Sequence, residues 1–307
     1  LGDSTGMNVD HQVGEHRLHG GQLDGAVMPL LRAGRRAMQE GRPGHALTAS
    51  RLAVKAADGT QALMARAEAR RRVADALLEL ERPDEALEML DDARDLGGLD
   101  RRSMAELNLV AARASIAQGR VEPSRKLLQR AGRVFEALRD WRGLAEVSHG
   151  QGILHRLEGK PEEAVRCFEY MLETNRDRDL QYSIRGISGL IEARISAGLL
   201  EGVEPWLERL RALARESGDT RHIAQAAYGG ALIYLRQGRL ELCRRHFLTA
   251  RALAATLGAD RMRLACENNL GEVYRYGGSD EQAGKAYERA ARLSEDRGWK
   301  ALAAVAH

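Results

Sequence analysis

Apolar positions along this chain recur at fixed distances from a short polar turn. The turn centres are Gly41, Glu81, Gly119, Gly159, Gly198, Gly238 and Gly278, in the strings GRPGHA, ERPDEA, GRVEPS, GKPEEA, GLLEGV, GRLELC and GSDEQA. The steps between centres are 40, 38, 40, 39, 40 and 40 residues. Five residues past each centre the chain favours a small side chain: Ala46, Ala86, Ser124, Ala164, Val203, Cys243 and Ala283. Nine past it the side chain is mostly large: Ser50, Leu90, Leu128, Phe168, Leu207, Phe247 and Tyr287. Twelve past it the pattern is again mostly small: Ala53, Ala93, Ala131, Met171, Leu210, Ala250 and Ala290. These spacings put all three positions on one face of a helix. Seven residues before each centre stand Gly34, Ala74, Ala112, Gly152, Ile191, Ala231 and Gly271. A small residue recurring there predicts a tight crossing of two helices, since mid-helix glycine costs roughly 1 kcal/mol in propensity. Pro43, Pro83 and Pro161 fall two residues past a centre, where a second helix would begin and its N–H is free. The centre itself is suited to end the first helix in a left-handed conformation.

The pattern predicts seven antiparallel helix pairs, at about 24–40/43–57, 60–80/83–96, 101–118/121–138, 141–158/161–175, 180–197/200–216, 221–237/240–257 and 260–276/279–296. One more helix is expected at about 9–20, within a leading segment 1–23. Trp141-Arg-Gly-Leu-Ala-Glu-Val and Trp299-Lys-Ala-Leu-Ala-Ala-Val echo each other, so Trp299 should open an eighth unit, with the array proper over 24–298. A start at Leu1 rather than Met, and an end part-way into that helix, predict a piece of a longer protein. A fixed period of this size means a repeat array, whose units bury their apolar faces only by stacking on neighbours. The fold class expected is all-α, a right-handed superhelical solenoid.

Composition agrees and narrows the function. Aromatic residues are 4% of the chain and Pro numbers 6, against 30% charged residues. A formal net charge of +3 implies no polyanionic partner. Residues 25–72 are basic and residues 79–100 acidic, an alternation usual for solvated helix faces. Cys167, Cys243 and Cys266 are odd in number and far apart, which predicts free thiols in a reducing, cytoplasmic setting. No apolar run nears the ~20 residues needed to cross a bilayer. No phosphate-binding loop, zinc-protease, paired-cysteine or serine-hydrolase motif occurs. His11, Glu15, His16 and His19 are the nearest thing to a metal cluster, and they read better as an exposed helix than as a site. No enzyme activity, cofactor or metal is expected.

The unit Asn269-Leu270-Gly271-Glu272-Val273-Tyr274, followed by Gly278, Ala283, Tyr287 and Ala290, resembles the tetratricopeptide repeat at nearly every marked position. The resemblance covers about residues 21–307, and its longer period is similar to that of sensor regions in bacterial signalling proteins. Residues 11–40 resemble the junction where an ATPase module passes into such repeats. Glu81, Ile191 and Ser50 depart from the pattern.

The resemblance implies that the first helix of each pair lines a concave groove, at positions ten, nine, six and three before the turn centre. Candidate binding residues there are Arg32, Arg35, Arg71, Arg72, Arg113, His149, Ile153, Arg156, Tyr228, Leu232, Asn268, Asn269 and Arg275. At these positions the first three units offer five arginines against Asp75. Two readings stand: a groove for an acidic or phosphorylated peptide, or arginine as this chain's ordinary polar helix residue. Gly150, Gly189 and Gly229 in the middle units either make room for a bulky partner side chain or ease curvature. Glu272 stands where a clamp for chaperone tails needs Asn, so that partner is not expected. Nucleic acid is not expected either, because aromatic residues do not alternate with the basic ones. The function implied is a scaffold binding a protein or peptide. The alternative is a sensor whose small-molecule effector controls an attached ATPase, kinase or transcription activator.

Overall fold

A computed structural model describes residues 9–296. All the secondary structure among them is α-helix. A leading helix, α1 (Val9–His19), is followed by α2 (Leu23–Gln39) and α3 (Pro43–Asp58), α4 (Leu63–Glu79) and α5 (Pro83–Asp95), α6 (Arg101–Ala117) and α7 (Val121–Ala137), then α8 (Trp141–Leu157). The contacts divide the chain after Gly159, so these helices form the first compact unit. The second unit holds α9 (Pro161–Asn175), α10 (Leu180–Ser196) and α11 (Glu204–Ser217), α12 (Thr220–Arg236) and α13 (Leu240–Leu257), and α14 (Asp260–Tyr276) and α15 (Asp280–Asp296). The helix expected from Trp299 lies outside the described residues.

The turn centres take the conformation their residue type suggests. All six glycines have φ between 70° and 74°. After five of them the backbone N–H of the following residue closes the helix in the Schellman manner, as in Arg42 N–H to Ala37 O at 2.8 Å and Arg239 N–H to Tyr234 O at 2.9 Å. Glu81 adopts the same geometry at φ 61° without being glycine, which costs an L-residue roughly 1–2 kcal/mol. A second punctuation escapes the turn pattern. Asp100, Asp140, Asp179 and Asp219 precede α6, α8, α10 and α12, and each side chain accepts from backbone N–H groups of the first turn. They cap the first helices, and their spacing repeats with the turns.

Two helix starts fall later than expected. The helix expected from residue 60 begins at Leu63, and the one expected from residue 200 begins at Glu204. Gly202 is left-handed like Gly198, so residues 199–202 form an extra loop, and Pro205 sets the helix start in its first turn.

The small and large positions form the cores. Ala46, Ala53, Ala86, Leu90, Ala93, Ala131, Phe168, Met171, Leu210, Phe247 and Ala250 are buried. The expected tight crossings have defined partners. A Cβ on Gly34 would sit 2.8 Å from Ser50 Oγ, and one on Gly271 would enter the Tyr287 ring. The large residue nine past the centre thus rests on the small residue seven before it. It also reaches the next first helix: a Cβ on Gly150 would meet Leu128 Cδ2 at 2.8 Å, and one on Gly189 would enter the Phe168 ring. Gly150 and Gly189 therefore do not line an open groove. Their space is filled by the large side chain of the preceding second helix.

Candidate functional site

The positions six and three before each turn centre lie mostly half-buried to exposed on the first helices. In the first unit three of the candidate arginines, Arg71, Arg72 and Arg113, are engaged by carboxylates. Arg71 Nη2 lies 2.6 Å from Glu68 Oε2, Nη1 3.2 Å from Asp75, and Nε 3.5 Å from Glu106 of α6. Arg72 Nε lies 2.7 Å from Glu68. Arg113 of α6 donates to Asp75 Oδ1 at 2.9 Å and to Glu79 at 3.3 Å. Burial alone would pull Arg71 down, but Asp75, Glu68 and Glu106 reverse this and raise it. Burial alone would push the Glu68 carboxyl up, yet Arg71 and Arg72 hold it below the usual carboxylate range.

The count of five arginines against one aspartate is therefore corrected. Glu68, Glu79 and Glu106 lie about one helical turn from the four chosen positions, on the same face. Three arginines meet four carboxylates, so this network ties α4 to α6 and offsets the charge of these three arginines. Arg32 is exposed and donates to Asp10 Oδ1 of α1 at 2.8 Å. Arg35 is exposed, and Arg156 is exposed on α8 with His149 and Ile153 half-buried beside it in the sequence.

In the second unit the candidate residues come together across two helices. Tyr228 of α12 stands edge-on to Phe247 at 5.6 Å between centroids. Its hydroxyl accepts from Asn269 Nδ2 of α14 at 3.4 Å. Leu232 and Leu235 are partly buried in the same cluster. Asn268 is half-buried. Arg275 pairs with Glu272 at 2.5 Å and lies 4.9 Å over the Tyr276 ring. Glu272 also accepts from the Tyr287 hydroxyl; that bond and Arg275 hold its carboxyl low.

The cysteines are not poised as nucleophiles. Burial pushes Cys243 and Cys266 up to about 12 and Cys167 to about 11. Among the described residues, no group of three or more His, Cys, Asp or Glu is arranged to hold a metal ion. His11 instead lies 3.4 Å from Glu15. No described helix is long and apolar enough to cross a membrane.

Among curated proteins, none is significantly similar to the chain in sequence. Solved structures are similar in fold. One is a Rap protein complexed with competence and sporulation factor, at 14% identity and TM-score 0.71, covering 88% of this chain and 76% of that one. Another is the Rap conjugation gene regulator of plasmid pLS20 in complex with the Phr* peptide, at 17% identity and TM-score 0.71, covering 96% and 81%. A third is a signal transduction ATPase with numerous domains from Pyrococcus horikoshii, which has a tetratricopeptide repeat sensor. It shows 13% identity and TM-score 0.60, covering 98% of this chain and 52% of that one. Residues 222–296 match the tetratricopeptide repeat family. That match, with the shared fold over most of the chain, identifies an all-α array of tetratricopeptide-type repeats.

Proposed function

We propose that this array is a regulatory binding module that takes a peptide along its first helices, with the second unit as the principal contact. The observation that carries the reading is the Tyr228–Asn269 bridge between α12 and α14, flanked by half-buried Leu232 and Leu235. A tyrosine anchor beside apolar side chains, with an amide oxygen able to accept from a peptide N–H while its nitrogen is held by Ala265 O and the tyrosine, has the make-up of an interaction hot spot. The two Rap structures give the reading a precedent in the same fold, one of them with a peptide bound. The engagement of Arg71, Arg72 and Arg113 by internal carboxylates removes the main support for an acidic partner. The proposed partner is a peptide with apolar side chains. Three cysteines outside any disulfide suit a reducing compartment such as the cytoplasm.

The test is selection from a displayed random peptide library on the whole chain. Selected peptides should lose about tenfold or more in affinity for Leu232→Glu and Tyr228→Ala, and keep it for Arg72→Glu. Equal binding to Leu232→Glu would sink the proposal. A second reading, a sensor governing an attached ATPase, is favoured by the likeness to the Pyrococcus horikoshii protein. Melting of the chain against a metabolite panel tests it, since a ligand specific to the folded state raises the melting temperature.

A further inference from the structure

Three second helices carry an arginine thirteen residues past their turn centre: Arg94 in α5, Arg211 in α11 and Arg251 in α13. The residue eleven before the next turn centre, on the following first helix, is Asn108, Ala227 and Glu267 respectively. In two repeats these positions pair. Arg94 Nη2 donates to Asn108 Oδ1 at 3.4 Å, and Arg251 Nη1 to the buried Glu267 at 3.1 Å. Arg211 faces alanine at the same place, and a cleft of about 510 Å³ opens between α11, α12 and α13. Small side chains account for the missing volume. α12 has Ala226, Ala227 and Gly230 where α14 has Cys266, Glu267 and Leu270, all buried. A Cβ on Gly230 would lie 3.1 Å from Arg211 Nη2, so the guanidinium lies close across α12 at this glycine.

The partners left to Arg211 are weak. Nη1 donates to Glu208, which is 67% exposed, and such a solvated pair contributes little. Nη2 meets two neutral groups, the Tyr234 hydroxyl and His246 Nε2, both at 3.3 Å. Burial, and then the charges of Arg211 and Arg245, keep His246 low and therefore neutral near pH 7. Ile223, Ala226 and Ala227 supply an apolar wall, and Ile223 is 38% exposed there. A cleft of this size, largely apolar with a few convergent polar groups, is the usual make-up of a small-molecule site.

We propose that this cleft binds a small organic carboxylate. Its carboxylate bonds Arg211, as the Glu267 carboxylate bonds Arg251 one repeat later, and its apolar body rests on Ile223, Ala226 and Ala227. The site lies among α11, α12 and α13, apart from the Tyr228–Asn269 bridge, and does not rest on the peptide reading. Titration calorimetry of the whole chain with hexanoate and with neutral hexanamide tests it. Hexanoate should bind saturably, and hexanamide at least about tenfold more weakly, because only the former forms charge-assisted bonds. Ala227→Glu supplies the internal carboxylate and should abolish hexanoate binding while the melting temperature holds or rises. Arg211→Gln should weaken binding about tenfold or more, and it decides the matter if Ala227→Glu fails to fold. Absence of saturable hexanoate binding to the native chain, or binding undiminished in Arg211→Gln, overturns the proposal.

Discussion

Gly189 shows how one missing methyl group sets the packing of a repeat. Alanine has the better helix propensity by roughly 1 kcal/mol, yet a Cβ there would enter the Phe168 ring, which is fully buried. Overpacking of a filled core costs about 1–3 kcal/mol, so the steric term should win. Gly189→Ala should lower the denaturant midpoint, and adding Phe168→Leu should recover part of the loss. A variant as stable as the native chain would show that the ring has room to move. The recurrence of small residues was legible in the sequence. The choice between an open notch and a filled one was not, because the filler comes from another helix and occupies a place no local spacing records.

The helix that carries most of the second unit's chemistry is α12, and its first turn is pH-sensitive. Asp219 caps it through the Arg221 N–H at 2.8 Å, and His222 Nδ1 lies 2.9 Å from Ser217 Oγ of α11. Burial holds His222 below its ordinary value; Asp219 pulls the other way and Arg221 adds to the depression. Above about pH 7.5 the imidazole is neutral in folded and unfolded chains alike, so it contributes no pH dependence. As pH falls below that, the unfolded chain takes up the proton first and stability drops. Burial tends to raise Asp219, but Arg221 holds it below the usual range, so its contribution persists until far lower pH. Stability measured by urea unfolding should therefore decline between about pH 7.5 and about pH 5.5, and less so in His222→Gln. An identical slope in that variant would remove His222 from the account. The periodic aspartates behind these caps stood in the sequence. A pattern centred on helix ends does not register them, because they mark helix starts.

Across the molecule, contacts run between neighbouring helices and divide into two compact units after Gly159. In a repeat array stability is approximately a sum of units and nearest-neighbour terms, so damage should stay local. Phe247→Ala removes a fully buried ring, which costs about 3–5 kcal/mol. Hydrogen exchange should then speed up in α12, α13 and α14 while α2, α3 and α4 keep their protection. A uniform loss would mean that the chain unfolds as one cooperative body.

The helix pairs, their turns and the buried stripe were readable from residue spacing, because helical periodicity and the left-handed preference of glycine act within a few residues. The late start of α11 was only half readable: Gly202 and Pro205 mark it, but the regular turn pattern overrode them. Three features required the packed chain. Arg71, Arg72 and Arg113 are neutralised by carboxylates one turn away and on the adjoining helix. Leu128 and Phe168 fill the spaces beside Gly150 and Gly189. Arg211 faces Ala227 where its counterparts face Asn108 and Glu267. Each joins residues that spacing within one helix does not relate, through the stacking of one helix on the next, and that stacking decides which charges are spent and which space stays open.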